Sequence, residues 1–182
     1  MLPRRVANAV APEGQTVAAM LARRGAEVHH LALALRPLDD ALRGGAPAGG
    51  ITELVGPAGA GKTQLCKQLT VAATLPVLHG GLGGSTIYID TEAKFSAARL
   101  VEIARARWPE RFAGDAALEA LTRAVVVFTP STSAELLARL DGLEKLIIER
   151  GAKLVVIDSI AGAWREHALP RRQAQPHRCS KC

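Results

Sequence analysis

The stretch GPAGAGKTQLCKQL, Gly56–Leu69, is the part of the sequence that decides the fold. Gly56 and Gly61 are separated by four residues, and Lys62 and Thr63 follow directly. This spacing predicts a phosphate-binding loop that opens a helix, because glycines let backbone N–H groups wrap an anion at the helix N-terminus. Lys62 would reach the β- and γ-phosphates of a nucleotide, and the Thr63 hydroxyl would bind Mg²⁺.

Strand and helix patterns alternate on both sides of this loop. The sequence predicts strands at Ile51–Val55, Thr86–Asp90, Val125–Phe128 and Lys153–Asp158. It predicts helices at Lys62–Leu75, at Ser96–Trp108, and from an N-cap at Ser133 to a final Gly151. This order is typical of an α/β fold with a mostly parallel sheet flanked by helices.

Acidic residues end two of the predicted strands. Asp158 follows an apolar strand, so it would hold Mg²⁺ at the carboxyl edge of the sheet, where open α/β folds bind ligands. Thr86–Asp90 is followed by Thr91 and Glu92, and a carboxylate there could polarise water for attack on a phosphate. The residues alone leave Glu92 equally open to being an ordinary surface acid.

Composition limits the protein classes. The 182 residues are enough for one domain with a core, and 48% of them are hydrophobic. No apolar run reaches the length of a membrane span, so we expect no membrane partner. Three cysteines do not form a disulfide framework.

The last 18 residues are basic. Five cations and one acid after Trp164 account for +4 of the net charge of +6. Such a segment either attracts nucleic-acid phosphates or is a solvated tail, and we favour the tail. His177, Cys179 and Cys182 could supply three zinc ligands, but no fourth ligand lies at a familiar spacing, so we favour chance.

Three stretches together resemble the RecA-type strand-exchange recombinases of archaea and eukaryotes. They are ITELVGPAGAGKTQL, GGSTIYIDTEAKFSAARL and KLVVIDSIA. The stretch GGLGGSTIYIDTEAKFSAARLVEIARARWPERF is similar to the B group of the eukaryotic recombinase paralogues. The resemblance implies a partial RecA-like ATPase core over residues 31–166. Residues 1–30 would be a short segment, partly helical (17–24) or disordered, and residues 167–182 a disordered basic tail.

The resemblance also implies ATP and Mg²⁺ as cofactors and gives residues their roles. Glu92 would activate water and, with Lys62, form the catalytic pair, whereas Thr63 and Asp158 would bind the metal. Arg99 would stack on adenine. The family pattern Glu-Gly-x-Phe is replaced here by Glu92-Ala93-Lys94-Phe95, which puts the local geometry in question. The nucleotide would contact Gly56, Pro57, Ala58, Gly59, Ala60, Gly61, Lys62, Thr63, Gln64 and Arg99.

The function implied is a DNA-dependent ATPase subunit that acts in the nucleus, in double-strand break repair by homologous recombination. Its partners would be other recombinase paralogues and, through their complex, single-stranded or branched DNA. One alternative is a non-catalytic assembly subunit or truncated isoform that binds ATP without turnover. A P-loop kinase or transport ATPase is a third possibility, which the distance from Lys62 to the IDTE motif disfavours.

Family members continue well beyond the strand that ends at Asp158, so the resemblance implies that the C-terminal half is missing. The strand that would follow inserts, in the family, between the Ile51–Val55 and Lys153–Asp158 strands. We therefore expect a sheet with a central gap, partial folding of the isolated chain, and no specific binding of single-stranded DNA.

Overall fold

The computed structural model describes residues 30–162. This part of the chain contains five strands: β1 (His30–Leu31), β2 (Ala46–Pro47), β3 (Ser85–Asp90), β4 (Val125–Phe128) and β5 (Ala152–Asp158). Its α-helices are α1 (Arg36–Ala41), α2 (Lys62–Thr74), α3 (Ala97–Arg107), α4 (Asp115–Ala124), α5 (Ser133–Asp141) and α6 (Leu143–Arg150). A 3₁₀ turn covers Val77–His79.

The central sheet has three parallel strands in the order β4-β3-β5, and β1 and β2 form a separate antiparallel pair. Tyr88 lies beside Val127 on one side and Val156 on the other, and Asp90 lies beside Asp158. The register therefore brings the two predicted acidic strand ends to one edge of the sheet, as expected for parallel strands.

Helices cover both faces of this sheet. Along β3, Ile87 and Ile89 are buried in a cluster that contains Leu136 of α5 and apolar residues of α6. Thr86 points to the other face, where its hydroxyl donates to the Thr70 carbonyl of α2. Since strand side chains alternate, Tyr88 shares the face of Thr86. The predicted α/β architecture of a parallel sheet flanked by helices is confirmed.

The helices α2, α3 and α4 share a second core. Leu100, Ile103 and Ala104 of α3, the residues predicted to face inward, are buried in it. The sequence analysis did not predict α4, whose Leu118 and Leu121 are buried in the same cluster. Helix α3 begins after Ser96, whose side chain accepts the Arg99 N–H at 3.2 Å and so caps the helix.

One predicted strand is wrong. Residues 51–57 have no strand assignment, and Ile51 and Val55 are 102% and 83% exposed. A strand needs a neighbour for its N–H and C=O groups, and β5 is an edge strand of the sheet that residues 30–162 form. The Ile51–Val55 segment has no strand beside it among the described residues, which is the physical reason for the error.

The predicted long helix after residue 132 is two helices. It breaks at Gly142, between α5 and α6, and its N-cap is Thr132, not Ser133: the Thr132 side chain accepts the Glu135 N–H. The final Gly151 is confirmed as a left-handed cap with φ +59°. The predicted helix at 17–24, the group of His177, Cys179 and Cys182, and the basic residues after Trp164 lie outside the described residues.

Candidate nucleotide-binding site

The glycine-rich loop is exposed and leads directly into α2. Gly59 and Gly61 have φ values of +81° and +94°, and a Cβ on either would meet no atom within 4 Å. These glycines are therefore required by backbone conformation, and the space beside them is open. No described side chain caps the N-terminus of α2. The first N–H groups of a helix without such a cap attract anions, and their arrangement fits a phosphate.

Lys62 holds the loop in its curled shape. Its Nζ atom donates to the carbonyl oxygens of Gly56 at 2.7 Å and Pro57 at 2.9 Å. An ammonium group has three donors, so these two bonds fix the charge above the loop without using all of its N–H groups. The cation and the helix N-terminus thus attract negative charge to the same place.

Gln64 and Arg99, which were predicted separately, are in direct contact. The Arg99 Nε atom donates to Gln64 Oε1 at 2.9 Å, and a second guanidinium nitrogen donates to Glu102 at 2.8 Å. Half of the Arg99 side chain is exposed. The Gln64 amide and the Glu102 carboxylate thus orient the planar Arg99 guanidinium between α2 and α3. The exposed part of the side chain stays open to a ligand.

Tyr88 and Asp158 join β3 to β5 through their side chains. The Tyr88 hydroxyl donates to Asp158 Oδ2 at 2.7 Å. Burial, together with the neighbouring Asp158 carboxylate, raises the pKa of Tyr88 far above its ordinary value. The phenol therefore stays neutral and acts as a hydrogen-bond donor to the carboxylate.

Asp90 organises the loop that follows β3. Its side chain is buried and accepts the Glu92 N–H at 3.1 Å and the Phe95 N–H at 2.5 Å. Bonds from N–H groups to a carboxylate are among the stronger hydrogen bonds in proteins. The Phe95 ring meets the Tyr88 ring edge-on, with centroids 4.8 Å apart. Asp90 thus fixes the backbone that carries Glu92.

Glu92 lies at the same sheet edge as Asp158. Its Oε2 atom accepts from Lys94 Nζ at 2.6 Å, and its Oε1 atom accepts from the hydroxyl of Ser159, the residue after Asp158, at 3.2 Å. Thr91 and Ser159 also exchange two hydrogen bonds, of 2.5 and 3.1 Å. The structure therefore brings Glu92, in the loop after β3, close to the end of β5 that carries Asp158.

Ala93, which stands where the Glu-Gly-x-Phe pattern has a glycine, has a strained backbone conformation. Ala93 has a φ of +53°, a left-handed conformation that is unfavourable for residues with a Cβ. Glycine adopts this conformation freely. The loop therefore keeps, with alanine, the backbone shape for which a glycine is suited.

The chemistry of Thr63 and Asp158 fits Mg²⁺. Residues 30–162 contain no cluster of three or more His, Cys, Asp or Glu side chains that could hold a metal alone. Mg²⁺ binds hard oxygen ligands and usually takes only one or two from protein, with phosphate and water completing the shell. A hydroxyl and a carboxylate match that pattern.

The sequence analysis gave no supporting role to Tyr88, Asp90, Lys94 or Ser159. The polar groups of Tyr88 and Asp90 in the otherwise apolar run TIYID were a signal that these side chains have hydrogen-bond partners, since buried polar groups need them. Which partners they find depends on strand order and register, which one sequence does not give.

The comparison with protein families matches the Rad51 family over residues 24–176. The chain belongs to the Rad51 family. Among Rad51 relatives, DNA repair protein RAD51 homolog 2 of Mus musculus is 45% identical over 170 residues, 92% of this chain and 49% of the relative. The Homo sapiens protein of that name is 44% identical over 163 residues, 88% of this chain and 42% of the relative.

A more distant Rad51 relative is DNA repair protein XRCC3 of Bos taurus, 40% identical over 143 residues, 74% of this chain and 41% of the relative. The chain therefore spans about half the length, or less, of these curated relatives. Among residues 30–162, every helix is too short or too polar to cross a bilayer.

Proposed function

We propose that the chain is an ATP-binding subunit of the B-paralogue type, acting in the nucleus in DNA repair by homologous recombination. One observation carries the nucleotide part: the exposed glycine loop is held by Lys62 at the uncapped start of α2. Membership of the Rad51 family and the similarity to proteins named DNA repair protein RAD51 homolog 2 support the DNA-repair part.

Each site residue has a chemical task in this proposal. The loop N–H groups and Lys62 bind the phosphates, while Arg99, oriented by Gln64, lies against the adenine. Thr63 and Asp158 hold Mg²⁺, which neutralises phosphate charge. Glu92 orients a water molecule and accepts its proton.

The proposed partners are other recombinase paralogues and, through their complex, single-stranded or branched DNA. This part of the proposal rests on family membership. The chain itself matches only about half of each relative's length, or less. The whole activity would be a DNA-dependent ATPase reaction in the assembled complex.

A second candidate is a non-catalytic assembly subunit that binds ATP without turnover. The contacts of Glu92 favour it: both carboxylate oxygens accept hydrogen bonds, from Lys94 and from Ser159. These two bonds hold the carboxylate in one orientation, whereas a base must face the attacking water. If the held carboxylate does not face that water, ATP stabilises the subunit without being hydrolysed.

Nucleotide binding tests the proposal first. We expect Lys62→Ala to weaken ATP binding by the 182-residue chain at least about tenfold, because a charge-assisted contact to phosphate is lost. Lys145→Ala, which removes an exposed lysine of α6, is the matched control and should bind normally. Isothermal titration with a slowly hydrolysed ATP analogue measures both. Equal affinity in the two variants would contradict the proposal.

Hydrolysis in the assembled complex distinguishes the two candidates. Glu92→Gln keeps the size of the side chain but is a poor base, so turnover with single-stranded DNA should fall roughly 100-fold while ATP binding persists. Release of inorganic phosphate, with and without DNA, gives the rate. Turnover that does not change in Glu92→Gln would favour the assembly subunit.

A further inference from the structure

Tyr88 is the one tyrosine in the sequence, and it is buried at the centre of the sheet with 1% of its surface exposed. Its neighbours in β4 and β5 are Val127 and Val156, both apolar. A phenylalanine would fill the same space without a polar atom. We therefore expect the hydroxyl to have a specific hydrogen-bond partner, since burying an unpaired hydroxyl is unfavourable.

The hydroxyl has one specific partner, the Asp158 carboxylate. The 2.7 Å contact to Oδ2 is a charge-assisted hydrogen bond, and it spans 70 residues of sequence. The χ2 rotation of an aspartate is otherwise broad. A bond to Oδ2 alone selects one orientation of the carboxylate and directs Oδ1 away from the phenol.

The Tyr88 ring is itself held by contact with a second aromatic ring. Phe95 meets it edge-on, and the Lys67 ammonium lies 5.5 Å from the Phe95 centroid. The Phe95 N–H is bonded to the buried Asp90. The phenol therefore has little freedom to move, so the position of its oxygen is defined by packing.

We propose that Tyr88 is a positioning residue: its hydroxyl fixes the Asp158 carboxylate so that the second oxygen faces the metal ion of the bound nucleotide. This inference rests on the proposed function, in which Asp158 binds Mg²⁺. Groups that orient metal ligands typically change metal affinity by about 10- to 100-fold when they are removed. Tyr88→Phe keeps the ring and its contact with Phe95 and removes only the oxygen.

The test uses the full 182-residue chain with Mn²⁺ as a paramagnetic probe and a slowly hydrolysed ATP analogue. We expect Tyr88→Phe to weaken Mn²⁺ binding to the protein–nucleotide complex about tenfold. Binding of the analogue in the presence of a chelator should not change. Electron paramagnetic resonance of free Mn²⁺ measures the metal affinity directly, without any need for turnover.

Thr86→Val is the matched control, because it removes another buried hydroxyl from the same face of β3, one that bonds α2 and not Asp158. It should leave Mn²⁺ affinity unchanged. In an Asp158→Asn background, Tyr88→Phe should have no further effect on Mn²⁺ affinity, since the two residues act through one contact. If Tyr88 has only a structural role, Tyr88→Phe should behave like Thr86→Val: the unfolding midpoint falls and the Mn²⁺ affinity does not change.

A spectroscopic readout is available because the chain has a single tyrosine. With ¹³C at the tyrosine Cζ, one resonance reports the hydroxyl, and it should move in Asp158→Asn even without ligand. If the resonance does not move, the inference is overturned. It is also overturned if Tyr88→Phe binds Mn²⁺ as tightly as Thr86→Val does while Lys62→Ala still weakens nucleotide binding. If Lys62→Ala has no effect on nucleotide binding, the proposed function fails and the role of Tyr88 falls with it.

Discussion

The strand ends that carry Asp90 and Asp158 differ from the Gly56–Gly61 loop in what holds them. Asp90 is buried and accepts two backbone N–H groups, and Asp158 accepts the hydroxyl of a buried tyrosine. The loop is exposed, follows a segment whose Ile51 side chain is fully in solvent, and is held mainly by the two bonds of Lys62.

This difference separates two ways of building one site. The acidic side is set by strand register and packing, so its geometry exists before a ligand arrives, which is what preorganisation requires. The loop side is set by local backbone conformation and by one cation. Its order should depend on what binds it, since few buried contacts support it.

Among substitutions at the candidate site, removing the Asp90 carboxylate should have the largest effect on stability. Asp90→Ala leaves the N–H groups of Glu92 and Phe95 without their buried acceptor, and bonds to charged groups contribute about 1.5–3 kcal/mol each. We expect the free energy of unfolding to fall by about 3 kcal/mol, measured by urea denaturation.

Asp141→Ala, at the exposed C-terminal end of α5, is the control for Asp90→Ala and should change stability by less than about 0.5 kcal/mol. A loss below about 1 kcal/mol for Asp90→Ala would mean that the acidic loop is as weakly held as the glycine loop. The contrast between the two sides of the site would then be lost.

Cys66 shows how far the packed region extends along α2 toward the glycine loop. Burial, and then the negative charge of Asp158, raise the pKa of the thiol from 9.0 to about 11. Below pH 9 its thiolate is therefore about 100-fold rarer than in the unfolded chain. In metal-free buffer at pH 8, we expect alkylation of Cys66, followed by peptide mass spectrometry, to be slower by about that factor.

The sign of the accompanying pH dependence is fixed by the raised pKa. The folded state disfavours the thiolate, so this group leaves stability unchanged below pH 9 and lowers it as the pH rises from 9 toward 11. Rapid alkylation at pH 8 would show that the first turns of α2 open together with the loop. The boundary between the two regions would then lie deeper in the helix.

Periodicity predicted the elements whose own residues determine them. The strand at 125–128 and the α3 stripe of Leu100, Ile103 and Ala104 follow from local patterns, and the structure confirms them. The Ile51–Val55 strand was wrong because a strand also needs a neighbour, and an apolar pattern does not reveal whether one is there. Helix α4 was missed although Leu118 and Leu121 recur at helical spacing and are buried, so here the sequence analysis overlooked a local signal.

The candidate site also divides into features that local sequence determines and features that depend on the tertiary fold. The loop spacing and the two acidic strand ends could be predicted because each is a local motif. The contact of Arg99 with Gln64 and that of Tyr88 with Asp158 join residues 35 and 70 positions apart, so they depend on the tertiary fold. The alanine in the Glu92–Phe95 turn was a visible departure, but its φ of +53° required the structure.

The smallest effect on stability is expected for Ile51→Ala. This variant is also the most direct test of the contrast between the exposed glycine-loop side and the packed acidic side of the site. Ile51 is fully exposed, so Ile51→Ala removes no buried surface and should change the free energy of unfolding by less than about 0.5 kcal/mol. Ile87→Ala makes the identical substitution at a fully buried position of β3, where a loss of about 2–5 kcal/mol is expected from transfer and cavity terms. Urea denaturation of both variants in the 182-residue chain gives the comparison.

If Ile51→Ala proves nearly as destabilising as Ile87→Ala, the Ile51–Val55 segment is packed in solution, and the strand predicted from sequence forms there. The glycine loop would then be supported by the sheet in the same way as the acids, because a paired strand would fix the backbone up to Gly56. A near-zero effect keeps the two regions distinct and leaves Lys62, together with the bound phosphates, as the source of order in the loop.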